Sequence, residues 1–238
     1  MNEKGIFSTT TLKLIACFLM VIDHVGMYLF PGYKIFRIVG RLSYPIFAFF
    51  IAEGCKYTKN KVKHLMLIML LGIGMLLFNY YIFNNWTGCI FLTFTFSIIY
   101  IYIFDLIKDI GLTKVLKITI YLCILMPGYI IFKIINIDYG FIGMLIPVGI
   151  YIINYLSFAK KQILNLNTEL LMKLGVLIIG LILISLNNPL GYIQFFSLLA
   201  IIPLLFYNGK PGIKHLKYFF YFFYPVHIVI IYMLYLII

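Results

Sequence analysis

Apolar residues in this chain run almost unbroken for about twenty residues at a time, rather than alternating with polar ones as in a half-buried strand. At a helical rise of about 1.5 Å per residue, a run of that length spans a hydrocarbon core of about 30 Å. Nine such runs can be marked: 12–30, 35–55, 64–83, 89–107, 115–132, 139–158, 170–187, 192–207 and 216–238. The segments between them are short and carry turn chemistry, as at Pro31-Gly32, Asn84-Asn85, Asn187-Asn188-Pro189 and Asn208-Gly209-Lys210-Pro211-Gly212. The pattern predicts an all-α, polytopic membrane protein of about nine transmembrane helices, with residues 1–238 forming a single integral membrane domain. The run 64–83 is the most purely apolar, whereas Pro127-Gly128 and Pro203 interrupt the runs 115–132 and 192–207. The first run is too long for a secretory signal and carries Asp23 and His24, so it reads as a retained span.

Composition strengthens this reading. Of the 238 residues, 64% are hydrophobic and 11% charged, against about 45–50% and about 25% in an ordinary soluble domain. A soluble enzyme and a disordered chain are both excluded. The net charge of +12 has a topological explanation, so it does not point to nucleic acid. With the N-terminus inside, 15 of the 19 basic residues fall on the cytoplasmic side, and only Lys34, Arg37, Arg41 and Lys133 fall on the outer side or outer span ends. The expected orientation is therefore N-in and C-out. Cys17, Cys55, Cys89 and Cys123 have no CxxC spacing. They read as small apolar side chains, with neither a metal site nor a disulfide framework implied.

Candidate chemistry lies in the ionisable residues that the runs enclose, because such groups are costly in hydrocarbon and normally face a partner, a cavity or a substrate. Asp23 and His24 sit about 17–18 Å into the first run, and His227 sits about 17 Å into the last, both counted from the inner edge. Arg41 sits about 9 Å below the outer edge of the second run. The four can therefore meet in one layer just outside the midplane. A histidine there can take and give a proton near neutral pH, and Asp23 can either orient it or neutralise Arg41. The competing reading is an Asp–Arg pair that only joins two helices, with His24 bonded to backbone and His227 satisfying carbonyls released by Pro225. Glu53, at the inner edge, reads as a carboxylate that snorkels to water or pairs with a lysine. The run of Lys56, Lys59, Lys61 and Lys63 reads as an anchor on anionic membrane lipids, or as a surface for an anionic cytoplasmic donor such as the phosphates of coenzyme A.

Several motifs add to this. Leu12-Lys13-Leu14-Ile15-Ala16 and Met20-Val21-Ile22-Asp23-His24-Val25-Gly26 resemble the opening of the TraX family of membrane proteins. Arg37-Ile38-Val39-Gly40-Arg41-Leu42-Ser43-Tyr44-Pro45-Ile46-Phe47-Ala48-Phe49, followed by Ala52-Glu53-Gly54, resembles its next segment. Asp138-Tyr139-Gly140-Phe141-Ile142-Gly143, Tyr207-Asn208-Gly209-Lys210 and Phe222-Phe223-Tyr224-Pro225-Val226-His227 are similar to its central and C-terminal motifs. At 84–97, Cys89-Ile90-Phe91-Leu92-Thr93 departs from the family pattern.

The resemblance implies an acetyltransferase of the bacterial cytoplasmic membrane, related to the protein of conjugation systems that N-acetylates mature pilin. The implied donor is acetyl-CoA, with no metal. The implied acceptor is an amine or hydroxyl on a membrane-presented peptide or glycan. Acyl transfer needs a base and a stabiliser for the oxyanion on the thioester carbonyl. On this reading His24 is the base, Asp23 orients it or holds Arg41, Arg41 steadies the oxyanion or an anionic acceptor group, and His227 is a second base or a donor to the thioester. Glu53, Lys56, Lys59 and Lys61 would meet the coenzyme. Two rivals come from other classes: a small proton-coupled transporter using Asp23, His24 and His227 as a relay, and a non-catalytic scaffold or chaperone that would tolerate His24→Gln.

Overall fold

The computed structural model describes residues 5–159, 166–187, 191–213 and 216–237. The basic positions Lys4, Lys160, Lys161 and Lys214, and the turn at Asn188-Pro189, lie outside the described residues. The chain is almost wholly helical, and seven helices are long and apolar enough to cross a membrane. These are α1 (Thr9–Tyr28), the pair α2 (Lys34–Gly40) and α3 (Ser43–Tyr57), then α4 (Lys61–Phe83), α5 (Ile90–Lys108), α6 (Lys114–Ile134), α8 (Leu166–Asn187) and α11 (Lys217–Ile237). Two shorter apolar helices complete the series. One is α7 (Gly140–Ala159); the other is a composite of α9 (Gly191–Phe195), a 3₁₀ turn (Phe196–Ala200) and α10 (Ile201–Leu205). All nine marked runs thus have a helical counterpart.

Side-chain caps set several of the helix starts. Ser8 accepts from Thr11 N at 3.2 Å, Asn60 from Lys63 N at 2.9 Å and Thr113 from Leu116 N at 3.4 Å, each satisfying an amide that has no partner in the first turn. Helix α4 stops at Asn84, which takes the left-handed conformation with φ 48°. The prolines act as their positions require. Pro45 lacks the N–H that would bond the Arg41 carbonyl, and the second run accordingly breaks between Gly40 and Ser43. Pro127, by contrast, leaves α6 continuous. There the Tyr100 hydroxyl donates to Ile124 O at 3.2 Å, and Gly128 makes room for that ring, since a Cβ would collide with it. Ahead of Pro203 the helix tightens into the 3₁₀ turn, where Ile201 N–H bonds Leu198 O.

Packing divides the chain into two compact units, Met1–Phe50 with Ile153–Ile238, and Ile51–Ile152. In the first, α1 packs against α2 and α11, and α9 against α2 and α8. The start of α1 is tied to the segment after α10: Phe7 pairs with Tyr207 in a parallel bridge, Thr9 Oγ1 and the Tyr207 hydroxyl lie at 2.9 Å, and Tyr207 packs edge-on against Phe49 and Phe50. In the second unit, α4 packs on α5 and α5 on α6. Two-residue strands β1 (Thr87–Gly88) and β2 (Asn136–Ile137) pair in parallel, and Thr93 Oγ1 donates to Asp138 O at 2.6 Å. Each joined pair of segments is one that the alternation of nine crossings assigns to a single side.

Candidate functional site

The site lies in the first unit, where α1, α2 and α11 meet. Glycines allow the close approach. A Cβ at Gly26 would collide with the Phe36 side chain, and one at Gly40 with that of Asp23. Gly40 therefore brings the start of the α2–α3 break onto Asp23. Ser43 Oγ holds the next turn by donating to Ala16 O at 2.9 Å.

Asp23, His24, Arg41 and His227, which depth alone could only place in one layer, are brought together. They form two pairs of different kinds. Asp23 does not bond His24. It faces α2, where Arg37 Nη1 donates to Oδ2 at 2.7 Å and approaches the Asp23 carbonyl at 3.4 Å. Arg41 Nε stands 3.9 Å from Oδ1, and no described residue hydrogen-bonds that buried oxygen. Of the two roles open to Asp23, the structure therefore selects the arginine-holding one, and the main partner is Arg37. That residue reads from sequence as an outer topological charge. Its signal was its spacing: Arg37 and Arg41 lie four apart, hence on one helix face, and they are the chain's only arginines.

The histidines form the other pair. Their ring centroids lie 4.9 Å apart at 70°. His227 Nδ1 lies 2.8 Å from Phe223 O, and a carbonyl can only accept, so this nitrogen carries the proton. In the neutral ring Nε2 is then the acceptor, and it lies 3.2 Å from His24 Nδ1. His24 Nδ1 also lies 2.8 Å from Met20 O. Both neighbours of this nitrogen accept, so it too is the protonated one, shared between the Met20 carbonyl and His227. The lone pair of His24 consequently sits on Nε2, which no described residue hydrogen-bonds. His24 is partly exposed and His227 buried. Phe223 stacks on His227 at 5.2 Å, and Tyr224 meets His24 edge-on at 6.0 Å. His227 thus does more than satisfy a carbonyl of its own helix.

The inner-edge candidates belong to the second unit. Glu53 is buried on α3, not snorkelling into water. Lys56 is exposed and lies over the Tyr57 ring at 5.5 Å, and Lys59 is exposed. Lys61 is committed to an ion pair: its Nζ is 2.6 Å from Asp105 Oδ2. Asp105, near the end of the run 89–107, is buried and also receives Lys108 Nζ at 2.7 Å and the Tyr151 hydroxyl at 2.9 and 3.0 Å. Beside it His64 Nδ1 and the Tyr102 hydroxyl lie at 2.9 Å.

A family model described as TraX protein matches residues 8–235. An uncharacterized protein of Rickettsia prowazekii (strain Madrid E) is 44% identical over 52 residues, 22% of this chain and 21% of that protein. A probable fimbrial assembly protein FimC, serogroup H1, of Dichelobacter nodosus is 35% identical over 77 residues, 31% of this chain and 32% of that protein. The matched stretches thus span about a fifth and a third of these relatives' own lengths. No solved structure matches the chain.

Proposed function

The chain belongs to the TraX family, and on that premise we propose that it is an acyltransferase of the bacterial cytoplasmic membrane. It takes an acetyl group from acetyl-CoA and gives it to an amine or hydroxyl presented at the membrane. The observation that carries the reading is the bare Nε2 of His24, fixed by the proton that Nδ1 shares with Met20 O and His227. A base held in one tautomer by a partner on its other nitrogen is the arrangement that general-base catalysis needs.

The acceptor nitrogen or oxygen attacks the thioester carbonyl carbon and gives its proton to His24 Nε2. The new C–N or C–O bond forms, the C–S bond breaks, and the imidazolium returns the proton to the coenzyme thiolate. While it is charged, the His24 ring is stabilised by Met20 O and by the lone pair of His227 Nε2. The guanidinium of Arg41, with Arg37 and Asp23 fixing its surroundings, is suited to the negative charge that develops on the carbonyl oxygen. The exposed Lys56 and Lys59 suit an anionic ligand of their own unit, while Lys61 is shared with Asp105. The name of the Dichelobacter relative, a probable fimbrial assembly protein, supports a pilin-like subunit as the acceptor, with its N-terminal amine as the acetylated group.

The test is turnover of radiolabelled acetyl-CoA by the detergent-purified protein, wild type beside His24→Ala. The expected outcome is donor binding by both and a loss of turnover of about 10²–10⁴-fold in the variant. Equal turnover by both would remove His24 from the base role. Absence of donor binding at millimolar concentration in both would overturn the acyltransferase reading.

A further inference from the structure

The donor proposed above sets a spacing that the protein must meet. Its diphosphate is too highly charged for hydrocarbon and stops at the aqueous end of the helices, while its thioester must reach His24. The pantetheine arm between them has about thirteen bonds, and at about 3.3–3.6 Å per three bonds of extended chain it spans about 14–16 Å.

Helix α1 offers a cation at that distance. Lys13 precedes His24 by eleven residues, about 16–17 Å of helix and three turns plus about 20°, so the two share a face. The seam with α11 joins them. The Lys13 ammonium lies 5.6 Å from the centre of the Phe220 ring. Seven residues on, about two turns along α11, His227 meets His24. Lys13 also lies 5.6 Å from the centre of the Phe50 ring, so two aromatic rings hold a half-buried ammonium in place. On the ridge of α1 between Lys13 and His24 stand Cys17 and Met20, a small and a flexible side chain.

A second lysine is brought to the same end by the segment after α10. Asn208 N–H donates to Phe7 O at 3.0 Å and Thr9 N–H to Lys210 O at 2.9 Å, which seats that segment on the start of α1. Asn208 Oδ1 accepts from Lys210 N–H at 2.9 Å, and Gly209, with φ 74°, supplies the left-handed turn between them. Thr9 and Lys13 lie four apart on one face, so Lys210 is anchored about one turn, about 5–6 Å, beyond Lys13. Tyr207 completes the join: its ring packs edge-on at 5.4 Å against Phe50, the same ring that meets Lys13. The motif Tyr207-Asn208-Gly209-Lys210 thus presents an exposed cation at the inner end of α1. Both lysines belong to the unit that contains His24.

We propose that Lys13 and Lys210 form the phosphate site of the donor, holding the diphosphate of acetyl-CoA one arm's length from His24. The proposal rests on the acyltransferase reading above.

The experiment gives two donors to wild type, to Lys210→Gln and to the double variant Lys13→Gln with Lys210→Gln. One donor is acetyl-CoA. The other is S-acetylpantetheine, which has the same thioester and arm but no phosphate. Steady-state transfer to alanine amide yields kcat and KM for each donor. In the double variant KM for acetyl-CoA is expected to rise about tenfold or more, with kcat for both donors and KM for S-acetylpantetheine within about twofold of wild type. Lys210→Gln, at an exposed position, should raise KM for acetyl-CoA alone by about threefold, and it decides the matter if the double variant does not fold. Equal rises in KM for the two donors would assign the lysines a structural role and overturn the proposal. So would a KM for acetyl-CoA that stays at the wild-type value in every variant that folds. Either result leaves the acyltransferase reading standing. A wild type that turns over neither donor overturns that reading, and this proposal with it.

Discussion

Two carboxylates in this molecule, a buried Asp105 and a half-buried Asp23, each face two cations, and they are finished in different ways. Asp105 is saturated: Lys61, Lys108 and Tyr151 use both its oxygens at 2.6–3.0 Å. Asp23 is not: Arg37 takes Oδ2 at 2.7 Å, and Oδ1 is left with Arg41 Nε 3.9 Å away and no hydrogen bond. The cations differ as well. Lysine ammoniums are compact charges on flexible stems, and the Lys61 side chain at Asp105 is 47% exposed. Guanidiniums present a rigid fork and stay charged when buried, and this chain, otherwise lysine-rich, uses both its arginines at Asp23. A saturated carboxylate holds helices together. The Asp23 carboxylate keeps one oxygen that no described residue hydrogen-bonds.

The comparison breaks most directly if the two carboxylates are neutralised in turn. Asp23→Asn should lower acetyl transfer about 100-fold, because Arg37 and Arg41 lose the anchor that aims them. Asp105→Asn should keep transfer per folded molecule within a few-fold and lower stability by about 1–3 kcal/mol, read as a drop in melting temperature. The reverse pattern would exchange the roles assigned here. A smaller effect comes from swapping the cations. Arg37→Lys should cost about tenfold in transfer, since the shorter lysine side chain draws the charge back from Asp23 Oδ2, whereas Lys61→Arg should change neither transfer nor melting temperature appreciably. Equal tolerance at both positions would show that only charge matters at Asp23. Smallest of all, Tyr151→Phe should remove about 1 kcal/mol of stability, one hydrogen bond at a carboxylate that keeps both lysines, with turnover unaltered.

Much of this architecture could be read in advance. Run length alone marks all nine helical segments, and Pro45, Pro127 and Pro203 mark where to look for breaks. Pro127 misleads because α6 runs through it unbroken, with the Tyr100 ring seated against Gly128, a contact no local pattern reveals. Depth counting puts Asp23, His24, Arg41 and His227 at one height, since helical rise is nearly constant. It cannot say which neighbour each side chain faces, so the division into an arginine–aspartate pair and a histidine pair needed the packing. Arg37 was hidden by its place at the outer end of a run, where a charge already has a topological explanation. Asp105 was hidden in the same way at the inner end.

The coupling of His24 to His227 joins residues 203 positions apart, and it bears on how the protein is made. Helix α1 is synthesised well before its partner α11. At about 5–20 residues per second, His24 waits roughly 10–40 s before its partner exists. Throughout that interval Nδ1 has only the Met20 carbonyl, so a nascent or prematurely terminated chain inserts the first helix without completing the tautomer lock. The second partner of His24 Nδ1 therefore arrives only with α11, and a chain halted earlier holds that ring by the Met20 carbonyl alone.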